Sequence, residues 1–261
     1  MKTTRKILPA LAMLLVSAIM LSTASYAWFA SNSKVTAGDM HVKVKANTKF
    51  LEISETVNGT YTSAVTYVDP VTEEIELINA KFNTSGTGEK VLWYLGNSSD
   101  REDPGTTNTD AKTDLSDLDS RYTLQKQVFV KMSNSSDSQM TNLTIDTGET
   151  NGTKITTQSV DTTQAMKPAL RILVVAENYV AGETPVVTFE GAQIYDPGNG
   201  AGEAVSLASY GDTGYLVKDV KLNQVYRLSI YLYFDGEDAV SFTNNAGDLT
   251  DYAINVAFSA T

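Results

Sequence analysis

The chain has 261 residues, no cysteine, one histidine and a formal net charge of −11, from 20 basic and 31 acidic side chains. That balance argues against binding nucleic acid or an anionic membrane, because a phosphate-tracking surface needs concentrated positive charge. With no cysteine there is no disulfide, no thiol nucleophile and no thiolate-held metal, so stability must come from core packing and strand pairing.

The N-terminus reads as an export signal. Lys2, Arg5 and Lys6 form a basic region, Ile7–Leu21 is apolar except for Pro9 and Ser17, and Ser25 and Ala27 suit the shallow pockets of a signal peptidase. Cleavage between Ala27 and Trp28 is expected. The alternative, an uncleaved anchor, is disfavoured because this stretch of 15 residues is shorter than the ~20 a spanning helix needs. Removing residues 1–27 takes away three basic residues and no acidic one, leaving 17 against 31 and a formal charge of −14 on 234 residues. The expected organisation is a cleavable signal peptide with a signal helix (1–27), an N-terminal arm (28–48) and a single β-sandwich domain (49–261).

The new N-terminus would begin Trp28-Phe29, followed by a polar hinge, Ser31–Lys34. Met40, Val42, Val44 and Ala46 then alternate with His41, Lys43 and Lys45, which is the pattern of a half-apolar strand. Period-two patterning continues through Phe50–Ser54, Tyr61–Val68, Ile75–Ala80, Val91–Leu95, Tyr122–Met132, Asn142–Asp146, Ala169–Ala176, Val186–Phe189, Tyr215–Val220, Val225–Phe234 and Tyr252–Ser259. Ala169–Ala176 is apolar on both faces except at Arg171, as a strand covered on both sides would be. Asn134–Gln139 and Thr147–Thr153 read as hairpin tips, and Asp196–Gly200 as a turn. Many short strands and long polar loops predict an all-β fold, an antiparallel sandwich of jelly-roll-like form.

Catalytic patterns are missing. His41 alternates with Met40 and Val42 and reads as a solvent-facing strand residue; a zincin helix needs two histidines and a Ser-His-Asp triad needs one beside a positioned serine. The carboxylate pairs Glu73-Glu74, Glu102-Asp103 and Glu237-Asp238 read as solvated loop charge. The long segment Gly96–Arg121 carries Asp110, Asp114, Asp117 and Asp119, whose oxygens could ligate calcium, although EF-hand spacing and its glycine are absent. The other reading is a solvated loop. Trp93-Tyr94 with Tyr231 and Tyr233 could stack on a sugar, or simply pack. No cofactor and no enzymatic activity are expected.

Ser25-Tyr26-Ala27-Trp28-Phe29-Ala30, followed by Val35-Thr36-Ala37-Gly38-Asp39-Met40-His41-Val42-Lys43-Val44, resembles the junction of exported Firmicutes proteins processed by the SipW-type signal peptidase. These include the TasA/camelysin group of biofilm-matrix fibre subunits. Leu228–Asp238 is similar to a strand followed by an acidic-Gly-acidic turn in related members. The resemblance implies a Gram-positive, SipW-dependent jelly-roll subunit, secreted to the cell surface or extracellular matrix. It further implies self-association into filaments by donor-strand exchange, with the signal peptidase as processing partner and no membrane span after cleavage. Residues 28–48 would then hold the candidate donor strand, with Met40, Val42 and Val44 as groove-facing anchors, or with Trp28 and Phe29 seated at its start. Equally, Met40–Ala46 could be the first strand of its own sandwich. The metallopeptidase label attached to camelysin-like proteins finds no support in a chain with one histidine and no His-Glu-x-x-His. The alternative function is a secreted module that recognises a glycan or a host surface.

Overall fold

A computed structural model gives the fold and describes residues 34–36, 41–46, 51–68, 74–76, 78–84, 90–95, 122–133, 142–157, 167–198, 204–211, 213–236, 238 and 252–260. The first strands are β1 (Lys34–Thr36), β2 (His41–Ala46), β3 (Leu51–Ser54), β4 (Ala64–Val68), β5 (Glu74–Glu76), β6 (Ile78–Phe82), β7 (Val91–Leu95) and β8 (Leu124–Met132). They are followed by β9 (Asn142–Ile145), β10 (Lys154–Thr157), β11 (Leu170–Val180), β12 (Val186–Asp196), β13 (Ser206–Ser209), β14 (Val217–Lys218), β15 (Val225–Phe234) and β16 (Tyr252–Ala260). One short 3-10 turn, Lys167–Ala169, leads into β11.

The protein is an all-β sandwich. Sheet I has the order β13-β12-β11-β15-β8-β3, and sheet II runs β14-β9-β16-β2-β4 with β10 also paired to β16. Alternation decides which face each strand buries. Tyr226, Leu228, Ile230, Leu232 and Phe234 of β15 point inward with Ile172 and Val174 of β11, against Val42, Val44, Ile254, Val256 and Phe258 of sheet II. Each such side chain contributes about 1.5–3 kcal/mol when fully buried. The other face of sheet I is also covered. Leu173, Val175, Ala192, Tyr231 and Tyr233 pack beneath the β6–β7 hairpin, which brings down Ile78, Ala80, Val91 and Trp93. This second layer is why β11 is apolar on both faces.

The two long sides of the sandwich are closed by different means. On one, the backbone turns the corner: Ile53 and Thr62 exchange hydrogen bonds of 2.7 and 2.8 Å, and the Tyr67 hydroxyl on β4 donates to the Gln127 carbonyl on β8 at 2.8 Å. On the other, side chains of β12 do the joining, Tyr195 through its hydroxyl to the Thr153 carbonyl and Gln193 through its amide. Gln193 of β12 is fully buried, its Oε1 accepting from the Ile145 N–H at 2.8 Å and its Nε2 donating to the Gly214 carbonyl at 2.9 Å. A glycine is required nearby, because a Cβ at Gly191 would lie 2.6 Å from the Leu216 carbonyl oxygen and 2.7 Å from that of Tyr215.

β1 and β13 lie outside the expected strands, Ile75–Ala80 is divided between β5, paired with β1, and β6, paired with β7, and three further elements depart from the sequence expectation. Thr147–Thr153 is no hairpin tip. β9 and β10 both run antiparallel to β16, so Asn142–Thr157 is one strand interrupted by an excursion. Thr153 stands in for the missing ladder, its Oγ1 accepting from the Ala257 N–H at 3.0 Å, while Asp146 Oδ1 accepts from the Gly148 N–H at 2.8 Å. Val186–Phe189 grows to eleven residues, ending at Asp196, because a bulge beside Ala176 and Glu177 lets β12 pass Gly191 without losing its partner. Tyr215–Val220 shrinks to Val217–Lys218, ended by Asp219 at φ 56°.

Candidate assembly site

β2 lies inside its own sheet. It pairs antiparallel with β4 through His41↔Val68 to Lys45↔Ala64, and parallel with β16 through Ala253↔His41 to Phe258↔Ala46. The other pairings between described strands are antiparallel, so the β2–β16 pair stands apart from the antiparallel sandwich expected. A parallel pair cannot be closed by a short turn, and here the whole chain separates its two members. Val42 and Val44 are 1% and 0% exposed and sit within the inner core. In this arrangement the candidate donor strand completes the sheet of its own chain.

The site is therefore a slot between β16 and β4 with β2 seated in it. Its floor is the inner apolar face of sheet I, and Ile254, Val256 and Phe258 on β16 and Val65 and Tyr67 on β4 flank it on the same side. Its walls are two rows of backbone N–H and C=O groups that need a strand between them. Without β2, β4 would lose its strand partner and keep, among the described residues, the corner at Ile53 and Thr62, the Tyr67–Gln127 bond, Lys126 over the Tyr67 ring at 5.0 Å and the packing of Val65 and Tyr67 on the core. Of the other residues expected to act here, Trp28, Phe29 and Met40 lie outside the described residues, as do the cleavage residues Ser25 and Ala27 and the signal helix. The same holds for the calcium candidates Asp110, Asp114, Asp117 and Asp119. Among the described residues no group of three or more His, Asp or Glu could hold a metal ion.

Two constellations take on definite structural roles. Trp93 is 0% exposed, with its ring 5.9 Å from that of Tyr231 and 5.1 Å from that of Tyr233, both edge-on. The possible sugar platform is an internal cluster that offers no open ring face. The second was missed in the sequence. Arg171 of β11 gathers three carboxylates, with Nη2 2.8 Å from Asp238 and 3.2 Å from Asp196, and Nε 3.6 Å from Asp235. It also donates to the Pro168 carbonyl. Burial alone would lower its pKa, but Asp235, Asp196 and Asp238 together hold it above the ordinary arginine value. This is a pin that ties the ends of β11, β12 and β15. The lone arginine in an apolar strand was the available signal for it.

Fold and slot together define an all-β sandwich whose second strand, β2, is a middle strand of one sheet. No protein-family model, curated protein or solved structure matches the chain.

Proposed function

We propose that this chain is an exported structural subunit of a cell-surface or biofilm-matrix fibre, assembling through its N-terminal strand. The reading rests on the export junction; β2 completes its own sheet here, with Val42 and Val44 buried between β16 and β4, so strand donation requires this strand to leave its own sheet. A strand near the chain start, held by pairing to β4 and β16 and by the burial of Val42 and Val44, can be exchanged for the same strand of a neighbour, which would restore the same contacts. The described fold is then the self-completed subunit, and the exchanged form is its polymer. Support comes also from the resemblance of the Ala27-Trp28 junction to that of the TasA/camelysin group, and from the lack of a catalytic set in the sequence. The glycan-binding alternative loses its stacking platform, since Tyr231 and Tyr233 are buried.

A reversible lock tests the reading. Lys45 and Ala64 face each other across β2 and β4, and the chain has no other cysteine to interfere. In Lys45→Cys/Ala64→Cys, oxidation should fix β2 in its own sheet and hold the processed chain as monomer, while reduction should release filaments seen by negative-stain microscopy and sedimentation. Equal assembly in both redox states would sink strand donation. A processed chain that stays monomeric at every concentration would remove the fibre reading altogether.

A further inference from the structure

Charge is divided unevenly between the two sheets. The six strands of sheet II carry Lys43, Lys45, Lys154 and Lys218 and no aspartate or glutamate, in a chain whose net charge is −11. Register aligns Thr66, Lys43, Asn255 and Lys154 in one row across β4, β2, β16 and β10. Lys43 and Lys154 are exposed, and two strand spacings separate them, about 10 Å. His41 and Lys45 hold the next positions on either side of Lys43 in the same alternation. Small residues, Thr66, Thr156 and Ala253, lie among them. Asp146 and Glu149 of the excursion and Asp219 beyond β14 belong to the turns of this sheet, outside its strands.

Sheet I as a whole is balanced, with Lys126, Lys131, Arg171 and Arg227 against Glu52, Glu177, Glu190 and Asp196, and the opposite character is confined to its β11–β12 end. Residues 172–217 contain no lysine or arginine and six acids. Within that stretch the β11–β12 hairpin runs past the last core residue, Ala176, and ends in a tip where Val180 and Val186 are 51% and 59% exposed. Glu177 is held by Arg227 at 2.6 Å, but Glu183 and Glu190 are exposed and have no ion pair among the described residues.

We propose that the β11–β12 tip of one copy docks on the Lys43–Lys154 face of the next, orienting subunits in the fibre; this rests on the fibre reading above. Glu183 and Glu190 meet the lysines, and Val180 and Val186 lose water against the small side chains between them. Two such surfaces on one chain are unlike, so the contact is head-to-tail and leaves one tip and one face free at the ends, which lets it propagate. Complementary charge sets orientation and encounter rate more than raw affinity. For a chain this acidic it also replaces repulsion between copies by attraction along one direction.

The test is a charge swap in the processed chain. Lys43→Glu/Lys154→Glu and Glu183→Lys/Glu190→Lys change only exposed positions, and each should raise the concentration needed for assembly roughly tenfold or more. An equimolar mixture should restore wild-type assembly, because each variant supplies the surface the other now requires. Added salt should weaken wild-type assembly and leave the thermal midpoint of the monomer unchanged. Either variant assembling like wild type, or a mixture that fails to recover, overturns the docking while leaving the fibre reading intact. Loss of binding to inorganic polyphosphate in Lys43→Glu/Lys154→Glu, with assembly unaffected, would assign the face to an anionic polymer instead. A wild-type chain that never assembles removes both.

Discussion

Sheet I is flanked by two apolar layers, and their polar atoms are treated differently. The inner layer, shared with sheet II, is built from valine, leucine, isoleucine and phenylalanine, and the polar groups that enter it are paired. Thr153, 3% exposed, takes the Ala257 N–H, and Tyr195 gives its hydroxyl to the Thr153 carbonyl at 3.0 Å. The outer layer rests on two five-residue strands and an aromatic cluster. Trp93 Nε1 there, Asn79 Nδ2 on β6 and the hydroxyl of Thr123, next to Tyr122 in the chain, are buried with no hydrogen-bond partner among the described residues. A buried polar atom left unpaired costs about 1–3 kcal/mol. The inner layer is thus expected to hold the fold, and the outer one, which adds aromatic burial at a polar cost, to open first.

The largest expected effect separates global from local loss. Phe258→Ala empties a fully buried inner site and should cost about 3–5 kcal/mol, lowering the midpoint of the single unfolding transition. Trp93→Ala removes an even larger buried ring, yet its damage should stay under the hairpin. Amide exchange in β6 and β7 should quicken while β11 and β15 keep their protection. If Trp93→Ala lowers the global midpoint as far as Phe258→Ala does, the two layers are one cooperative unit and the contrast fails.

Much of this arrangement was legible in sequence because it depends on alternation. Tyr226, Leu228, Ile230, Leu232 and Phe234 share one face whatever they pack against, and the two-sided apolarity of Leu170–Ala176 signalled two cover layers before either was seen. Tertiary facts were not legible. Alternation in Val42 and Val44 says they are buried, but not in which copy, nor that β16 is their parallel neighbour. The excursion at Asp146–Thr153 has the Gly and Asn content of a hairpin tip, and only the direction of β10 against β16 tells them apart. Gly152 is a consequence of that closure, since any Cβ there would strike the Gly148 backbone. The grouping of Asp196, Asp235 and Asp238 around Arg171 depends on residues far apart in the chain meeting at one end of the sheet.

Two buried threonines sharpen the comparison with nearly isosteric changes. Thr153→Val leaves the Ala257 N–H without an acceptor and should cost about 1–2 kcal/mol in a urea titration. Thr123→Val removes a hydroxyl that has no partner among the described residues, and should raise stability by about 1 kcal/mol. Opposite signs are the point. Equal destabilisation by both would mean that Thr123 is as well satisfied as Thr153, and that the outer layer carries no polar penalty.

The smallest effect concerns the rim of the inner layer and appears only in alkali. Burial, and secondarily the charge of Glu55, pushes the Tyr67 phenol up to about 12. An unfolded tyrosine titrates near ~10. Between those values the folded chain keeps a proton that the unfolded chain gives up, so this contribution to stability is complete below about pH 10 and is lost as pH rises through about 12. Tyr67→Phe removes that dependence, but it also removes the hydroxyl that donates to the Gln127 carbonyl at 2.8 Å, at a cost of about 1 kcal/mol. The variant should therefore be the less stable protein near neutrality, with the gap to wild type closing above pH 10 as the wild type alone pays for ionising this phenol. Unfolding midpoints collected at intervals from pH 8 to the alkaline limit of the fold would show it. A gap that stays constant through that range would place Tyr67 in open solvent, detached from the β4 wall of the slot that β2 fills.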